Sequence, residues 1–248
     1  MSSTQNNQKA RRVATMFARI SPRYDFMNTV MTAGMHGRWR RLVARMATQD
    51  APPGPALDVA TGTGDLAFAL ARRPEVTAVV GLDFVSEMLE LARRKQKGRT
   101  LDKVKWVEGD ALSLPFGDGT FSCATVAFGL RNVADLKKAI SEMARVVRPG
   151  GRVAVLDMTR MSGQRPGQRL LRYYFNHFVP LMGRVLAGDK EAYAYFPESV
   201  EGFPSAADLA ALMEAAGMIN VRWRLLGMGM VALHTGKVRS YPVVAPTR

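Results

Sequence analysis

"LDVATGTGDLAFAL", residues 57–70, joins an apolar run of strand length to a helical repeat through a glycine-bearing turn. Within it, Gly62-Thr63-Gly64-Asp65-Leu66-Ala67 satisfies the G-x-G-x-x-[GA] spacing of a pyrophosphate-binding turn. The charges nearby argue against that ligand. Asp58 ends the apolar run and Asp65 opens the helix, so a diphosphate at the helix N-terminus would meet two carboxylates. A ligand with cationic groups fits the turn better.

Outward from this turn the chain alternates. "APPGP" at 51–55 breaks an N-terminal segment of helical spacing (Val13, Phe17, Leu42, Val43, Met46). "ALDVA" reads as a buried strand and "DLAFALARR" as a helix. Then follow strand "AVVGLDF", helix "SEMLELARRKQ" opened by Ser86, strand "VKWVEGD" and strand "FSCATVAF". The helix "ADLKKAISEMARVV" is expected to stop at a Pro149-Gly150-Gly151 turn, before strand "RVAVLDM". This βαβα order predicts an open parallel sheet with helices on both faces. Near the C-terminus, "SAADLAALMEAAGM" reads as a helix capped by Ser205 and stopped at Gly217. "NVRWRLLG" and "MVALHTGKV", parted by Gly227–Gly229, predict a closing hairpin with one antiparallel strand.

The composition, 47% hydrophobic and 23% charged, is that of a globular domain. The lone cysteine, Cys123, excludes an internal disulfide framework, suits a reducing cytoplasm, and falls in an apolar run where a buried small side chain is expected. No apolar stretch reaches the length of a membrane span, and "MSSTQNNQKARR" lacks the apolar core of a signal peptide. The net charge of +14 is unevenly placed. Residues 1–49 hold nine Lys and Arg against one acid, Asp25, and residues 158–188 hold five Arg and no acid. Two basic segments around a near-neutral body point to an anionic partner, a membrane surface or a nucleic acid.

In an open α/β sheet the ligand sits outside the carboxyl ends of the strands. There the chain places Asp58, then Gly62, Thr63 and Gly64. Asp83 follows about 20 residues beyond the turn, where a carboxylate can bind both hydroxyls of a ribose. Asp110-Ala111 closes strand three, and its carboxylate can accept from an exocyclic amino group. Each has a plainer reading: Asp83 as a helix N-cap, Asp110 as a solvated turn residue, Thr63 as a turn stabiliser. Together they make a nucleoside site without a clear pyrophosphate cradle. S-adenosylmethionine, with its sulfonium and ammonium groups, is the expected cofactor, and a nicotinamide-dependent oxidoreductase is the disfavoured alternative. The fold class is then α/β, a class I S-adenosylmethionine-dependent methyltransferase: Rossmann-like, with a seven-stranded, mostly parallel sheet and a terminal antiparallel hairpin.

"YDFMNTVMTAGMHGRW" (24–39), "FGLRNV" (128–133) and "RVVRPGGRVAVLDMT" (145–159) together resemble the signatures of the ubiquinone/menaquinone biosynthesis C-methyltransferases. The likeness runs from about residue 10 to 238, and the first signature joined to "FGLRN" is its most specific part. The departures are mild: Ala60 stands where a glycine is common, and Thr32, Asp157 and Thr159 stand where Ser, Glu and Ser are usual. The resemblance implies methyl transfer to a ring carbon of a reduced, prenylated quinol, demethylmenaquinol ahead of a ubiquinone precursor. It casts Arg131 as the group that stabilises a ring oxyanion, directly or through a water. Asn132 and Tyr24 would orient the ring hydroxyls. The competing roles are an ion pair at the sheet edge for Arg131 and a core aromatic for Tyr24. His36, His177 and His234 are too scattered for a metal cluster, so no metal is assigned.

A single methyltransferase domain, 1–248, is expected, with 1–49 as an N-terminal helical cap and 158–204 as a helical insertion over the active site. Arginines beside Tyr173, Tyr174, Phe175, Phe178 and Leu181 suit an interfacial surface that admits an isoprenoid tail. The expected setting is the cytoplasm, peripheral on the inner face of the cell membrane, with anionic lipid contacted through 1–49 and 158–188. A homodimer is compatible with this reading. Nucleic acid is not an expected partner, although an RNA methyltransferase and a non-catalytic binding module are the readings from other functional classes.

Overall fold

The computed structural model describes residues 3–32, 34–97, 101–160, 173 and 190–239. Three helices come first: α1 (Ser3–Ile20), α2 (Tyr24–Met31) and α3 (Met35–Thr48). The alternating part runs β1 (Gly54–Val59), α4 (Asp65–Ala71), β2 (Val76–Asp83), α5 (Ser86–Lys97), β3 (Val104–Glu108), β4 (Phe121–Ala127), α6 (Leu136–Val146) and β5 (Val147–Met158). The chain closes with α7 (Lys190–Glu201), α8 (Ala206–Ala215), β6 (Met218–Leu226) and β7 (Val231–Val238). Tyr174, Phe175, Phe178, Leu181 and His177 lie outside the described residues, as does most of the expected insertion.

The seven strands form one sheet in the order β3-β2-β1-β4-β5-β7-β6. β1 to β5 pair in parallel, and β7 runs antiparallel to both β5 and β6. The chain moves outward from β1 to β3, then returns to lay β4 on the other side of β1. That reversal opens a crevice beyond the carboxyl ends of β1 and β4, the place where such sheets bind ligands.

The central strands β1 and β4 bury both faces, which is why they read as continuous apolar runs, whereas β6 at the sheet edge is largely exposed. Successive residues of β1 serve opposite cores: Ala56 joins Phe68, Leu70 and Val43 under α3 and α4, while Leu57 joins Ile140, Met143 and Leu209 under α6 and α8. Met16, Met27 and Trp39 of the N-terminal helices enter the first of these cores. Cys123 is buried in β4, and burial pushes its thiol up to about 12, so it stays protonated and inert.

Two expectations about local structure meet their tests here. Ser205 caps α8 by accepting from the Asp208 N–H at 3.2 Å, and Gly217 ends it with φ +87°. Pro149-Gly150-Gly151, by contrast, is no turn between elements. β5 already pairs at Val147 with Phe121 and again at Arg152 with Cys123, so the four intervening residues form a bulge inside one strand. Gly150, at φ +83°, permits the bend, and the Arg148 guanidinium anchors it on the carbonyls of Pro52 and Pro53.

Gly64 is required by its neighbour. It sits at φ +85° as the residue before α4, and an added Cβ would fall within 3.0 Å of Cζ3 of Trp106. Trp106 cannot yield easily because its ring stacks edge-on against Phe68 at 5.5 Å. Gly64→Ala should therefore cost about 1–2 kcal/mol for the left-handed backbone and about 1–3 kcal/mol for overpacking. A thermal midpoint within a degree of the parent would remove this account of Gly64.

Candidate active site

A cavity occupies the predicted crevice. Gly62, Asp83, Asp110, Ala111, Tyr24 and Asn132 all reach its wall, along with apolar residues such as Phe84, Met88 and Leu112. Among the described residues its charged lining consists of Asp83 and Asp110 alone. An anionic diphosphate would find no cation there, whereas a cationic nucleoside would find two carboxylates. The residues fit S-adenosylmethionine.

Asp83 ties the loops together. It ends β2 and accepts from the Gly62 N–H at 2.7 Å and the Val85 N–H at 3.0 Å. Burial pushes its carboxyl upward, and these backbone donors oppose the shift. An ionised carboxylate has about four acceptor sites, so two backbone bonds leave capacity for a ribose diol. Asp110 is exposed and its Oδ1 accepts from the Leu112 N–H at 2.8 Å. It therefore builds its own turn while standing on the cavity wall.

A second, smaller cavity adjoins the first and is lined by Asp58, Thr61, Thr63, Ala60, Gly62, Tyr24 and Arg40. Asp58 is 1% exposed and accepts from the hydroxyls of Thr61 at 2.6 Å and Thr125 at 2.9 Å. Burial pushes its carboxyl up to about 7, against the lowering effect of those hydroxyls. Arg40 lies across the same cavity and stacks over Phe128 at 5.6 Å. A buried acid beside a buried guanidinium matches the ammonium and carboxylate of an amino-acid tail. Arg40, on α3, was no site candidate in the sequence, where it sits among three other arginines of "RWRRLVAR".

Asp65 differs from expectation: it lines neither of these cavities. Lys95 bonds it at 2.6 Å and Arg40 approaches at 3.6 Å, and together they outweigh burial to hold its carboxyl below the usual range. Lys95 also bonds Asp25 at 2.8 Å and Thr63 at 3.0 Å, while the Thr63 hydroxyl donates to Asp25 at 2.6 Å. The Thr63 hydroxyl is thus spent on fastening α2 to the glycine turn. Ala60 shows why a glycine is common at its position: it adopts φ +49°.

Arg131 is where the plainer reading has substance. Its Nη1 donates to Asp157 at 2.8 Å and to the Phe128 carbonyl at 2.6 Å, and Asp157 is 1% exposed. The ion pair is real and buried. The same side chain also lines a third cavity, together with Tyr24, Asn28, Asn132 and Tyr195, against Met16, Phe17, Ile20, Met27 and Met31. Tyr24 borders all three cavities and packs edge-on against Phe17 at 5.9 Å. Arg131, Asn132 and Tyr24 are thus brought together around one apolar chamber next to the cofactor space.

The comparison with known families agrees with this geometry. The model of the ubiE/COQ5 methyltransferase family matches residues 4–238. The chain belongs to that family. It is an S-adenosylmethionine-dependent methyltransferase. It is 46% identical to the demethylmenaquinone methyltransferase of Thermus thermophilus, over 89% of this chain and 99% of the relative. It is 40% identical to the ubiquinone/menaquinone biosynthesis C-methyltransferase of Paracoccus denitrificans, over 92% and 91% of the two chains. In fold this methyltransferase is similar to a SAM-dependent methyltransferase of Aquifex aeolicus, with a TM-score of 0.53, 19% identity, and coverage of 76% and 84%.

Asp58 gives the methyltransferase a pH signature. Its folded pKa of about 7 lies above the unfolded value near 3.9, so its stabilising contribution is complete at low pH and is lost as pH rises through 7. A cation beside it needs the ionised form. Cofactor affinity should therefore fall by up to about tenfold per unit below pH 7. Asp58→Asn should abolish that slope, weaken cofactor binding, and raise the thermal midpoint at pH 8 while leaving it unchanged near pH 4. Calorimetry across pH 5.5–8.5 with a flat wild-type affinity would refute the assignment.

Proposed function

We propose that this methyltransferase methylates a ring carbon of a reduced, prenylated quinol, and that demethylmenaquinol is its substrate. The observation that carries the reading is the third cavity: an apolar chamber with Arg131, Asn132 and Tyr24 on its wall, adjoining the cofactor space. The relative with 46% identity is named for demethylmenaquinone, which supports the menaquinone ring; the one named for both quinones, at 40%, keeps a ubiquinone precursor as the second reading.

When bound, S-adenosylmethionine supplies an electrophilic methyl group. Asp83 and Asp110 would hold its nucleoside, and Asp58 with Arg40 its amino-acid end. A quinol carbon becomes nucleophilic as a ring hydroxyl gives its proton to water, and the methylated carbon then gives up its own hydrogen as a proton to solvent, which restores the aromatic ring. Arg131, fixed by Asp157 and the Phe128 carbonyl, stabilises the resulting oxyanion from a preorganised position. Tyr24 and Asn132 keep the ring in place, and the methionine-rich wall excludes water.

The membrane is part of the proposal. Arg12, Arg19 and Arg23 of the N-terminal segment are exposed, as are Phe26 and Phe84, at 57% and 45%. Phe84 stands at the cavity wall. Exposed cationic and aromatic groups of this kind suit an anionic lipid surface that delivers a prenylated ring. Among the described residues no helix is long and apolar enough to cross a membrane.

Labelled S-adenosylmethionine, offered with each quinone in reduced and oxidised form, tests the reading. Label should enter demethylmenaquinol and leave the oxidised quinone untouched, because a quinone carbon is itself electrophilic. Equal rates with quinone and quinol would overturn it, and faster labelling of a benzoquinol would move the substrate to the ubiquinone branch. Binding to anionic vesicles that weakens with salt tests the membrane surface, with RNA as the competing anion.

A further inference from the structure

Two of the residues lining the chamber beside Arg131, Asn28, which the mechanism above does not use, and Asn132, which it does, each carry a buried polar atom without a hydrogen-bond partner. Asn28 stands one helical turn beyond Tyr24 on α2, so the two side chains share a face. Its main-chain carbonyl is satisfied, accepting from the Thr32 hydroxyl at 2.7 Å and the Thr32 N–H at 3.1 Å. Its side-chain Nδ2 is buried and has no hydrogen-bond partner. Across the same chamber, Asn132 follows Arg131, and its buried Oδ1 also lacks a partner. Asn132 Nδ2 reaches the Phe128 carbonyl at 3.5 Å, which leaves Oδ1 as the atom with unused capacity.

Buried amides without partners are uncommon because each forfeits its hydration for nothing. Asn28 and Asn132 both line this chamber, and each holds one such atom, a donor on Asn28 and an acceptor on Asn132, which is the pattern of a prepared polar site. The chemistry selects its occupant. Asn28 Nδ2 can donate to a carbonyl or a hydroxyl oxygen, whereas Asn132 Oδ1 can only accept, so it requires an O–H. A hydroquinone carries that O–H, and the oxidised ring carries none.

We propose that Asn28 and Asn132 form a clamp on the ring oxygens of the quinol, and that Asn132 makes the site selective for the reduced form. Asn28 is then a substrate-positioning residue in addition to those already named. The proposal rests on the quinol reading above and adds to it a source of redox selectivity within the chain itself. A site that must hydrogen-bond a substrate hydroxyl rejects the analogue lacking it far more strongly than an apolar pocket does.

The test measures equilibrium binding of a short-chain prenylated naphthoquinone and its dithionite-reduced quinol, with S-adenosylhomocysteine present so that no turnover occurs. Wild type should bind the quinol at least about tenfold more tightly than the quinone. Asn28→Leu should weaken both forms by similar factors, because both present an oxygen acceptor. Asn132→Leu should weaken the quinol alone and so erase the preference. Ligand-free Asn28→Leu should melt no earlier than wild type, since an amide nitrogen without a partner has been replaced by an apolar side chain of similar size; Asn132→Leu also gives up the 3.5 Å bond to the Phe128 carbonyl and should melt within about 2 °C of wild type. In Asn28→Leu, which lies outside the lining of the cofactor cavity, S-adenosylhomocysteine affinity should stay within about twofold. If either Leu variant does not fold, Asn28→Ala and Asn132→Ala take its place.

Wild-type preference for the quinol that survives in Asn132→Leu overturns the clamp and leaves the quinol reading intact. So does unchanged binding in Asn28→Leu, or an earlier melt with unchanged ligand affinity, which marks a structural role. A wild-type enzyme that binds neither ring form overturns the quinol reading, and the clamp with it.

Discussion

Arg131→Ala should lose about a hundredfold or more in turnover, comparable to removing one oxyanion donor, and should also lose about 3–5 kcal/mol of stability. The second loss follows from the partner. Asp157 is 1% exposed, and Arg131 is the cation paired with it at 2.8 Å; truncating one member leaves a charge buried and uncompensated. A drop in activity by itself would therefore decide nothing. Arg131→Ala combined with Asp157→Asn separates the two effects. The neutral amide introduced by the second change would carry no charge. Its oxygen can keep one of the two backbone donors that now bond separate oxygens of Asp157, the Arg131 N–H on Oδ2 at 3.1 Å and the Met158 N–H on Oδ1 at 2.8 Å, while its NH2 faces the other. The double variant should regain part of the stability and little of the turnover. Arg131→Lys should keep the ion pair but restore only part of the rate, because an ammonium lacks the planar fork. Cofactor affinity should barely change in any of them, since the interaction belongs to the transition state. Thermal midpoint, cofactor affinity and turnover, measured on one preparation, settle the matter. Near-normal turnover per folded molecule in the double variant would remove Arg131 from the mechanism and leave it as a structural ion pair.

Asp83→Ala should be the most damaging change at the cofactor site. Its carboxylate holds the Gly62 N–H at 2.7 Å and the Val85 N–H at 3.0 Å, so its loss orphans two backbone donors and loosens the glycine turn. It also removes the expected acceptor for the ribose hydroxyls. Charge-assisted hydrogen bonds of this kind are worth about 1.5–3 kcal/mol each, so cofactor affinity should fall by at least about tenfold and nearer a hundredfold. Asp83→Asn keeps the shape and one acceptor oxygen and should fall between the two. Unchanged affinity in the Ala variant, read by calorimetry, would contradict the ribose assignment, and tighter binding of a nicotinamide dinucleotide than of S-adenosylmethionine would contradict the class.

The fold was open to reading because its signals are local. Periodicity told strand from helix, and the alternation from Ala56 to Met158 implies parallel pairing through right-handed crossovers. The position of Asp58, Asp83 and Asp110 at the carboxyl ends of β1, β2 and β3 was legible for the same reason: a residue at the end of a parallel strand is placed by the strand, whatever its distant neighbours are. The bulge at Pro149–Gly151 was missed because Pro-Gly-Gly reads alike as a turn or as slack within a strand, and only the pairing with β4 distinguishes them.

By itself, then, the sequence determined the sheet, the end of it that carries the site, and the acids at that end, since each depends on order along the chain. Tertiary structure decided what those polar groups do, because a charge's role depends on its partner and the partners are remote in sequence. Lys95 meets Asp25 across 70 residues and Asp65 across 30, which turns Asp65 from a ligand-facing acid into part of a fastening. Arg131 meets Asp157 across 26 residues, which makes one side chain both a structural ion and a candidate for the chemistry. Asn28 Nδ2 and Asn132 Oδ1 stand out by lacking hydrogen-bond partners, and such a lack exists only in the folded chain.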